Sequence, residues 1–224
     1  MRGIGNLAAA LVLSFTAVAY TEEPAFKGDP YTLNVCSVSG EELGGIGDPV
    51  AYVHEGRDIK FCCSGCEPRF KGDPAKGLAK IDELMIVDQK PHYPLTTDVV
   101  TGEALPADDK IIDLVHFNRL VRLGSQKSAQ TFMKDPDTYI KKLDEAVIAK
   151  QSEHYPIDKC VVSGEKLSDA DSIQAVFGNR LVKFCCDDCV DTFKKTPAKY
   201  LSMLEKGEAP KEGSGPHEHH EEHK

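Results

Sequence analysis

Short apolar segments that flank tight turns recur along this 224-residue chain, and they predict β-hairpins. Residues 50–54 and 57–61 flank one turn, and residues 173–177 and 180–184 flank Gly178-Asn179. Glycine and asparagine tolerate the left-handed backbone that two-residue hairpin turns require. A third hairpin is predicted between these two, where the apolar positions are densest. Its apolar residues are Ile111, Ile112, Leu114, Val115, Leu120, Val121 and Leu123.

The sequence after each hairpin predicts two helices. A short helix is predicted over residues 63–70 and again over residues 186–194. A second helix is predicted to begin at Pro74, Pro136 and Pro197. Each proline follows an aspartate or threonine that can cap a helix, and proline at the first helical position loses only an amide that would be unpaired. Hairpins followed by helices predict an α+β fold.

The three units are copies of one another, spaced about 61–62 residues apart. Tyr31, Tyr93 and Tyr155 mark their starts, and a Val-x-Gly-Glu turn follows in each copy. Because this spacing exceeds typical solenoid periods, we expect three small domains instead of a stacked array. The predicted parts are a signal peptide (1–19), module one (20–90), a cysteine-free module two (91–150), module three (151–206) and a disordered histidine-rich tail (207–224).

Cysteine is confined to modules one and three, which indicates thiol chemistry. The eight cysteines are Cys36, Cys62, Cys63, Cys66, Cys160, Cys185, Cys186 and Cys189. Module two keeps the scaffold, but Asp98, Gly124, Ser125 and Ser128 stand where its four cysteines would be. Because all four are replaced together, each set of four is predicted to act as one unit.

The cysteine spacing is typical of a metal site. Cys62 and Cys66 are four residues apart, and Cys63 and Cys66 are three apart, so their thiols share one face of a helical turn. A helix N-terminus favours thiolate, and the tight turn after Cys36 can add another. Zinc takes four thiolates, whereas copper(I) accepts two or three. We therefore predict two sites for zinc or copper(I), each with the four cysteines of its module as ligands.

Other uses of the cysteines stay open. An exported chain with an even cysteine count is often a disulfide framework. The adjacent pairs Cys62-Cys63 and Cys185-Cys186 argue against it, because a bond between neighbours closes a strained ring. Cys63 and Cys66 have the spacing of a thiol–disulfide enzyme without a thioredoxin-like context. A third hypothesis is an interaction protein whose modules, with structural metal sites or disulfides, present surfaces to a protein partner. The sequence contains no catalytic constellation of nucleophile, base and orienting group, so no enzyme is predicted.

These motifs resemble the YHS and TRASH domain family. The pattern is Cys-x-Val-x-Gly-Glu, a hairpin ending in Phe-Cys-x-x-x-Cys-x-x-x-Phe, and Pro-x-x-Tyr. The matching residues are Cys36, Phe61, Cys62, Cys66, Phe70 and Pro74 in module one, and Cys160, Phe184, Cys185, Cys189, Phe193, Pro197 and Tyr200 in module three. The resemblance implies small treble-clef-like modules that bind heavy metals in metal handling or resistance. The family pattern needs three cysteines, so Cys63 and Cys186 are additional here. Gly77 replaces the tyrosine in module one, and module two matches the scaffold alone.

Charge and the N-terminal segment narrow the function classes. The net charge of -9, with no basic stripe, argues against nucleic acid as a partner. Arg2 precedes an apolar run over residues 7–19 that ends in Ala17-Val18-Ala19, a pattern typical of a cleaved signal peptide. The run is short for a membrane span. We therefore expect an exported protein, periplasmic or extracellular, without a membrane anchor after cleavage; the alternative is an uncleaved N-terminal anchor.

The C-terminal tail is a separate candidate. Its histidines are His217, His219, His220 and His223. Four histidines within seven residues can chelate nickel, copper(II) or zinc weakly. The plainer hypothesis is an acidic, solubilising end.

Overall fold

A computed structural model describes residues 25–168, 172–211 and 213. The predicted signal peptide and the four tail histidines lie outside these residues. Within them the chain is a mixture of helices and antiparallel hairpins, as the α+β prediction requires. The longest helices have 16 residues, and no described helix is long and apolar enough to cross a membrane.

Each module contains a hairpin and two helices, in the same order. Module one consists of β1 (Val50–His54), β2 (Arg57–Phe61), α1 (Cys66–Gly72) and α2 (Pro74–Gln89). Module two consists of β3 (Ile112–His116), β4 (Arg119–Leu123), α3 (Gln126–Phe132) and α4 (Pro136–Gln151). Module three consists of β5 (Ile173–Phe177), β6 (Arg180–Phe184), α5 (Asp187–Lys195) and α6 (Pro197–Glu205). The four strands of modules one and three have the predicted bounds, and α2, α4 and α6 begin at the predicted prolines.

The first helix of modules one and three begins later than predicted. In module one α1 begins at Cys66, three residues after the predicted start at Cys63. The intervening residues form a turn, in which the Cys66 amide donates to the Cys63 carbonyl at 3.2 Å. In module three Cys186 is the N-cap of α5 and is not helical. The last cysteine of each motif therefore lies in the first helical turn.

Two-residue turns with left-handed backbone close the three hairpins. Gly178 and Asn179 have φ values of 55° and 60°, as their composition predicts. Phe117 and Asn118 adopt the same conformation, with φ of 41° and 69°. Phenylalanine is unusual at such a position. Asn118 explains the turn, because its buried side-chain amide donates to two backbone carbonyls of neighbouring segments.

Each module has its own buried core, built from the second strand and the two helices. The core of module one includes Tyr31, Ile59, Phe61, Phe70, Ile81 and Met85. The core of module two includes Leu120, Val121, Leu123, Phe132 and Leu143. The core of module three includes Val161, Val182, Phe184, Phe193 and Leu201. A smaller cluster of Val147, Val176 and Leu181 joins α4 to the third hairpin.

Glutamines at the ends of the two long helices connect each module to the next. The Gln89 side chain donates to the Asn118 carbonyl at 2.8 Å and accepts from the Leu120 amide at 2.8 Å. Gln151 repeats these bonds one module later, with the Asn179 carbonyl at 3.0 Å and the Leu181 amide at 2.8 Å. Each helix thus ends on the turn of the following hairpin.

A buried ion pair joins all three modules. Arg119 makes two hydrogen bonds to the Asp29 carboxylate, at 2.7 and 2.9 Å, and one to Asp144 at 2.6 Å. It also donates to the Val176 carbonyl of module three at 2.7 Å. Asp29 in turn accepts from the Gly178 amide at 2.7 Å. Because a buried charge is costly unless it is paired, these contacts hold the modules in one arrangement.

Candidate metal centre

A tight turn before each hairpin positions the first cysteine of the site. The Cys36 amide donates to the Glu41 carbonyl at 2.8 Å, and the Gly40 amide donates back to the Cys36 carbonyl at 2.8 Å. Gly40 has φ of 77°, which a residue with a side chain rarely adopts. In module three the same turn carries Cys160, which accepts from Gly164 at 2.9 Å. This conformation is the reason for glycine in the Val-x-Gly-Glu motif.

The hairpin end and the helix start supply the other cysteines. Cys62 directly follows β2, and Cys66 is the first residue of α1. The sulfur atoms of Cys36, Cys62 and Cys66 all lie within 4.8 Å of one another, and all three residues are buried. The Cys62 and Cys66 sulfur atoms are 3.7 Å apart. Three segments distant in sequence thus meet in one thiol group.

Module three contains a matching group. The sulfur atoms of Cys160, Cys185 and Cys189 also lie within 4.8 Å of one another. Those of Cys185 and Cys189 are 3.6 Å apart. Cys160 and Cys189 are fully buried, and Cys185 is partly exposed. The two groups therefore repeat one geometry in two separate modules.

The sulfur separations fit a shared metal ion. Metal–sulfur bonds of about 2.3 Å in a tetrahedron place the sulfur atoms about 3.8 Å apart. The observed separations of 3.6 and 3.7 Å are close to that value. Disulfide sulfurs are separated by only about 2.05 Å, and all eight cysteines are free thiols. Each group can therefore hold a metal ion.

The fourth predicted cysteine of each module lies beside the group and not within it. Cys63 is exposed, with its sulfur 3.9 Å from that of Cys62 and 4.0 Å from that of Cys66. Cys186 is half-buried, with its sulfur 3.8 Å from that of Cys185. The structure brings three of the four predicted ligands together, and a ligand role for these two stays a prediction.

Hydrogen bonds favour one thiolate in module one. Burial acts to raise the pKa of Cys36, but bonds from the Ser39 hydroxyl and from the backbone amides of Ser39, Cys62 and Val38 outweigh it. The net effect lowers the pKa of Cys36 to about 7. Burial, and the hydrogen bonds to Cys36 and Cys62, raise the pKa of Cys66 to about 12. A bound cation would have to displace the remaining protons, so binding depends on pH.

Module three has the same distribution of charge. Burial opposes ionisation of Cys160, but bonds from the Ser163 backbone and hydroxyl, and from the Cys185 and Val162 backbone, lower its pKa. Burial raises the pKa of Cys185 to about 12, and that of Cys189 rises for the same leading reason. In both modules the first cysteine of the motif is therefore the one poised as thiolate.

Two serines of the site were missed from sequence. Ser39 lies 3.2 Å from the Cys62 sulfur and Ser163 lies 3.3 Å from the Cys185 sulfur, each a hydrogen bond between hydroxyl and thiol. Their position before the turn glycine is Thr101 in module two, so a hydroxyl is present in all three copies. A hydroxyl at the same position of all three copies was the sequence signal that could have identified Ser39 and Ser163.

In module two a carboxylate takes the place of the thiolate. Asp98 Oδ1 accepts from the amides of Val100 at 2.8 Å and Thr101 at 3.3 Å, and Oδ2 accepts from Gly124 at 2.7 Å. These three amides correspond to those of Val38, Ser39 and Cys62 around Cys36. Burial acts to raise the pKa of Asp98, but these bonds and one from Ser128 lower it.

The similarity searches add no family to this description. No protein-family model, no curated protein and no solved structure matches the chain.

Proposed function

We propose that this protein is an exported metal-binding protein that holds two soft or borderline ions, zinc or copper(I), in its two cysteine groups. The observation that carries the proposal is the repetition of one three-sulfur geometry in modules one and three. The resemblance to YHS and TRASH domains supports this proposal. In more detail, we propose that the modules are treble-clef-like and that the protein acts in metal handling or resistance.

The position of the fourth thiol favours handling over a purely structural site. A closed four-thiolate site holds its metal within a completed shell. Here three thiols gather, while Cys63 is exposed at their edge. Copper(I) is satisfied by three sulfurs, and zinc would recruit the fourth. A ligand at the surface can also exchange with the thiol of a partner, which allows an ion to enter or leave.

Elemental analysis of the chain without residues 216–224 tests the proposal. Protein loaded with zinc or copper(I) under reducing conditions should carry two ions per chain. Replacement of Cys36 by serine should reduce the content to one, and replacement of both Cys36 and Cys160 should abolish it. Replacement of Ser125, at the surface of the cysteine-free module, is the control and should leave two. The proposal would be refuted if the reduced parent protein took up no metal, or if the double variant had the same metal content as the parent.

A second candidate is thiol–disulfide exchange at Cys63 and Cys66. Cys63 is exposed, and its backbone bond to Gly65 and its contacts with Cys62 and Cys66 lower its pKa. A Cys63 thiolate can attack a partner disulfide, and Cys66 would then displace the partner thiol and close the Cys63–Cys66 bond. Turnover of a model disulfide with glutathione as reductant, lost in Cys63→Ser, would support this function. No turnover would exclude it.

We also propose that the tail contributes a weaker site next to module three. The backbone of Pro210 and Lys211 lies against Gly164, whereas the equivalent Gly40 and Gly102 have open space around them. His217 lies six residues beyond Lys211, a reach of about 20 Å when extended. Since histidine must be neutral to bind metal, nickel and copper(II) binding should fade below pH ~6.5. Unchanged nickel binding after removal of residues 216–224 would refute a role for the tail.

Export is the part of the proposal that rests on sequence alone. The run over residues 7–19 and the small residues Ala17 and Ala19 support a cleaved signal peptide. Expression of the full chain in a bacterium, followed by fractionation and N-terminal sequencing, should yield a periplasmic or secreted protein that begins near Tyr20. A cytoplasmic protein with Met1 intact would contradict export.

A further inference from the structure

The cysteine group of module one has an exposed thiol at its edge. Of the eight cysteines, all of which the structure describes, Cys63 alone is exposed. Its sulfur lies 3.9 Å from that of Cys62 and 4.0 Å from that of Cys66, and the latter two are 3.7 Å apart. Three sulfurs thus form a nearly equilateral triangle. One corner faces solvent, and the other two belong to the buried group that can hold an ion.

The corresponding edge of module three is less open. Cys186 occupies the position of Cys63, but Cys185 and Cys186 are each half-buried, and no cysteine of this module is exposed. Thiol–disulfide exchange requires that the attacked disulfide reach the sulfur of the attacking thiolate. That approach is therefore easier in module one.

Charge distinguishes the two edges further. Ser64 and Gly65 follow the exposed thiol of module one, and Asp187 and Asp188 take their places in module three. Both aspartates are exposed, and they begin α5 directly after Cys186. Carboxylates next to a thiol repel an approaching anion, and salt screens so short a distance incompletely. A disulfide that carries negative charge should therefore reach Cys63 more readily than Cys186.

A disulfide bond within the triangle would dismantle the ion site. Formation of the bond draws two sulfurs to about 2.05 Å and removes both as thiolate ligands. Cys66 is the partner for Cys63, because a bond to the neighbouring Cys62 closes a strained ring. Zinc takes four ligands, and it would be left with the sulfurs of Cys36 and Cys62 alone.

We infer that module one is a redox-controlled site, which releases its zinc ion when a small anionic disulfide of the glutathione class oxidises Cys63 and Cys66, whereas module three keeps its ion. The inference rests on the proposed metal binding and assigns a regulation to one of the two sites.

The oxidation consists of two exchange steps. The Cys63 thiolate attacks one sulfur of glutathione disulfide, whose S–S bond breaks, and one glutathione leaves as thiolate. The Cys66 thiolate then attacks the Cys63 sulfur of the mixed disulfide, and the second glutathione leaves as thiolate. One disulfide bond forms in the protein as one is reduced in the oxidant, and the released thiolates take protons from water. Zinc dissociates because Cys66 no longer binds it.

Zinc release from the full chain tests the inference. Protein loaded with zinc is mixed with glutathione disulfide at neutral pH, and a dye that binds zinc more tightly than the tail reports release. One ion per chain should leave in a fast phase, and the second should leave about tenfold more slowly. C63S keeps the three sulfurs of the buried group, so it should load with zinc but lose the fast phase. C186S is the matched control and should retain the fast phase.

The double variant S64D/G65D gives module one the two residues of module three. A Cβ atom on Gly65 would lie 3.8 Å from the Cys63 sulfur, an ordinary contact, so aspartate fits there. The fast phase should slow about fivefold with glutathione disulfide, because the new carboxylates repel it. The rate with the neutral hydroxyethyl disulfide should stay the same. Equal slowing with both reagents would overturn the role of charge in the selectivity.

Failure of the inference differs from failure of metal binding. Reduced protein that takes up no zinc overturns both, and zinc uptake is measured before the oxidant is added. Protein that takes up two ions and then releases neither, or releases both at one rate, overturns the redox control alone. Fast release from C63S has the same meaning. Mass spectrometry of peptides after the fast phase should find Cys63 bonded to Cys66 and the cysteines of module three reduced.

Discussion

The Asp98 carboxylate accepts a 2.7 Å hydrogen bond from the Gly124 amide, across the join between the turn and the hairpin of module two. In module one the corresponding amide is that of Cys62, which donates to the Cys36 sulfur. The same backbone amides therefore surround a cysteine of lowered pKa in modules one and three and a carboxylate in module two. Module two has kept the charge of the site and dispensed with the thiols.

Asp98→Asn should destabilise module two by about 2–3 kcal/mol at neutral pH, because it removes a buried anion from three amide donors. The pKa of Asp98 is lowered in the folded state, so its contribution is complete above the ordinary carboxyl range. It is lost as the pH falls through the folded pKa. Urea denaturation at pH 7 and at acid pH measures the difference, which should shrink in acid. The exposed Asp109→Asn is the control; equal effects would contradict the role of Asp98.

The combined variant Asp98→Cys, Gly124→Cys and Ser128→Cys should create a third metal site. Its residues take the positions of Cys36, Cys62 and Cys66 on a turn and hairpin of the same geometry. Metal analysis of the tail-deleted chain should rise from two ions to three. Ser128→Cys alone is the control and should leave the content at two. A content of two in the triple variant would mean that the module scaffold is not sufficient to form the site.

Removal of metal should loosen modules one and three before module two. Small modules gain folding free energy from their metal, whereas module two has a thiol-free core and its own anion. Hydrogen exchange with and without a strong chelator measures this for each module. Amides of β2 and β6 should lose protection, and those of β4 should keep it. Uniform loss, or none, would contradict a stabilising role for metal.

Removal of residues 216–224 should slow zinc loading of module three several-fold without a change in the final metal content. Gly164→Ala should have the same effect, because its new Cβ would clash with the Pro210 carbonyl oxygen and displace the start of the tail. Gly102→Ala has the same left-handed strain, with φ of 75° and open space, and is the control. Stopped-flow loading of a Cys36→Ser background isolates module three. Equal zinc-loading rates in all variants would show that the tail has no part in loading.

Asp29→Asn should destabilise the whole chain by about 3 kcal/mol, because it leaves the buried Arg119 without its two-bond partner. Asp82→Asn is the matched control. Asp82 also pairs with an arginine at 2.7 Å, but its side chain is 38% exposed, and its loss should cost about 1 kcal/mol or less. Thermal unfolding measures both. Similar losses of stability in the two variants would show that the Arg119–Asp29 pair contributes no more than an exposed ion pair.

Local pattern was sufficient to predict much of the fold. The hairpin turn at Gly178-Asn179 and the helix starts at Pro74 and Pro136 depend on neighbours in sequence, and both lie where predicted. The meeting of Cys36 with Cys62 was predicted from the repeated motif. The start of α1 was wrong, because a short helix and a turn share the same cysteine spacing.

The contacts between modules could not be predicted in this way. Gln89, Asn118 and Asp29 occupy positions that look like ordinary polar surface in the sequence. Their partners are 29 to 90 residues away, as in the bonds from Gln89 to Asn118 and from Arg119 to Asp29.

The buried pair of Arg119 and Asp29 has a consequence for the transfer of ions between the two proposed sites. Its contacts link all three modules, and the two cysteine groups lie in separate modules at the two ends of that arrangement of contacts. Under the proposed function, an ion bound in one group would have to pass through water or a partner protein to reach the other. The two proposed sites would then load and release their ions independently, and each could exchange with a different partner at the same time.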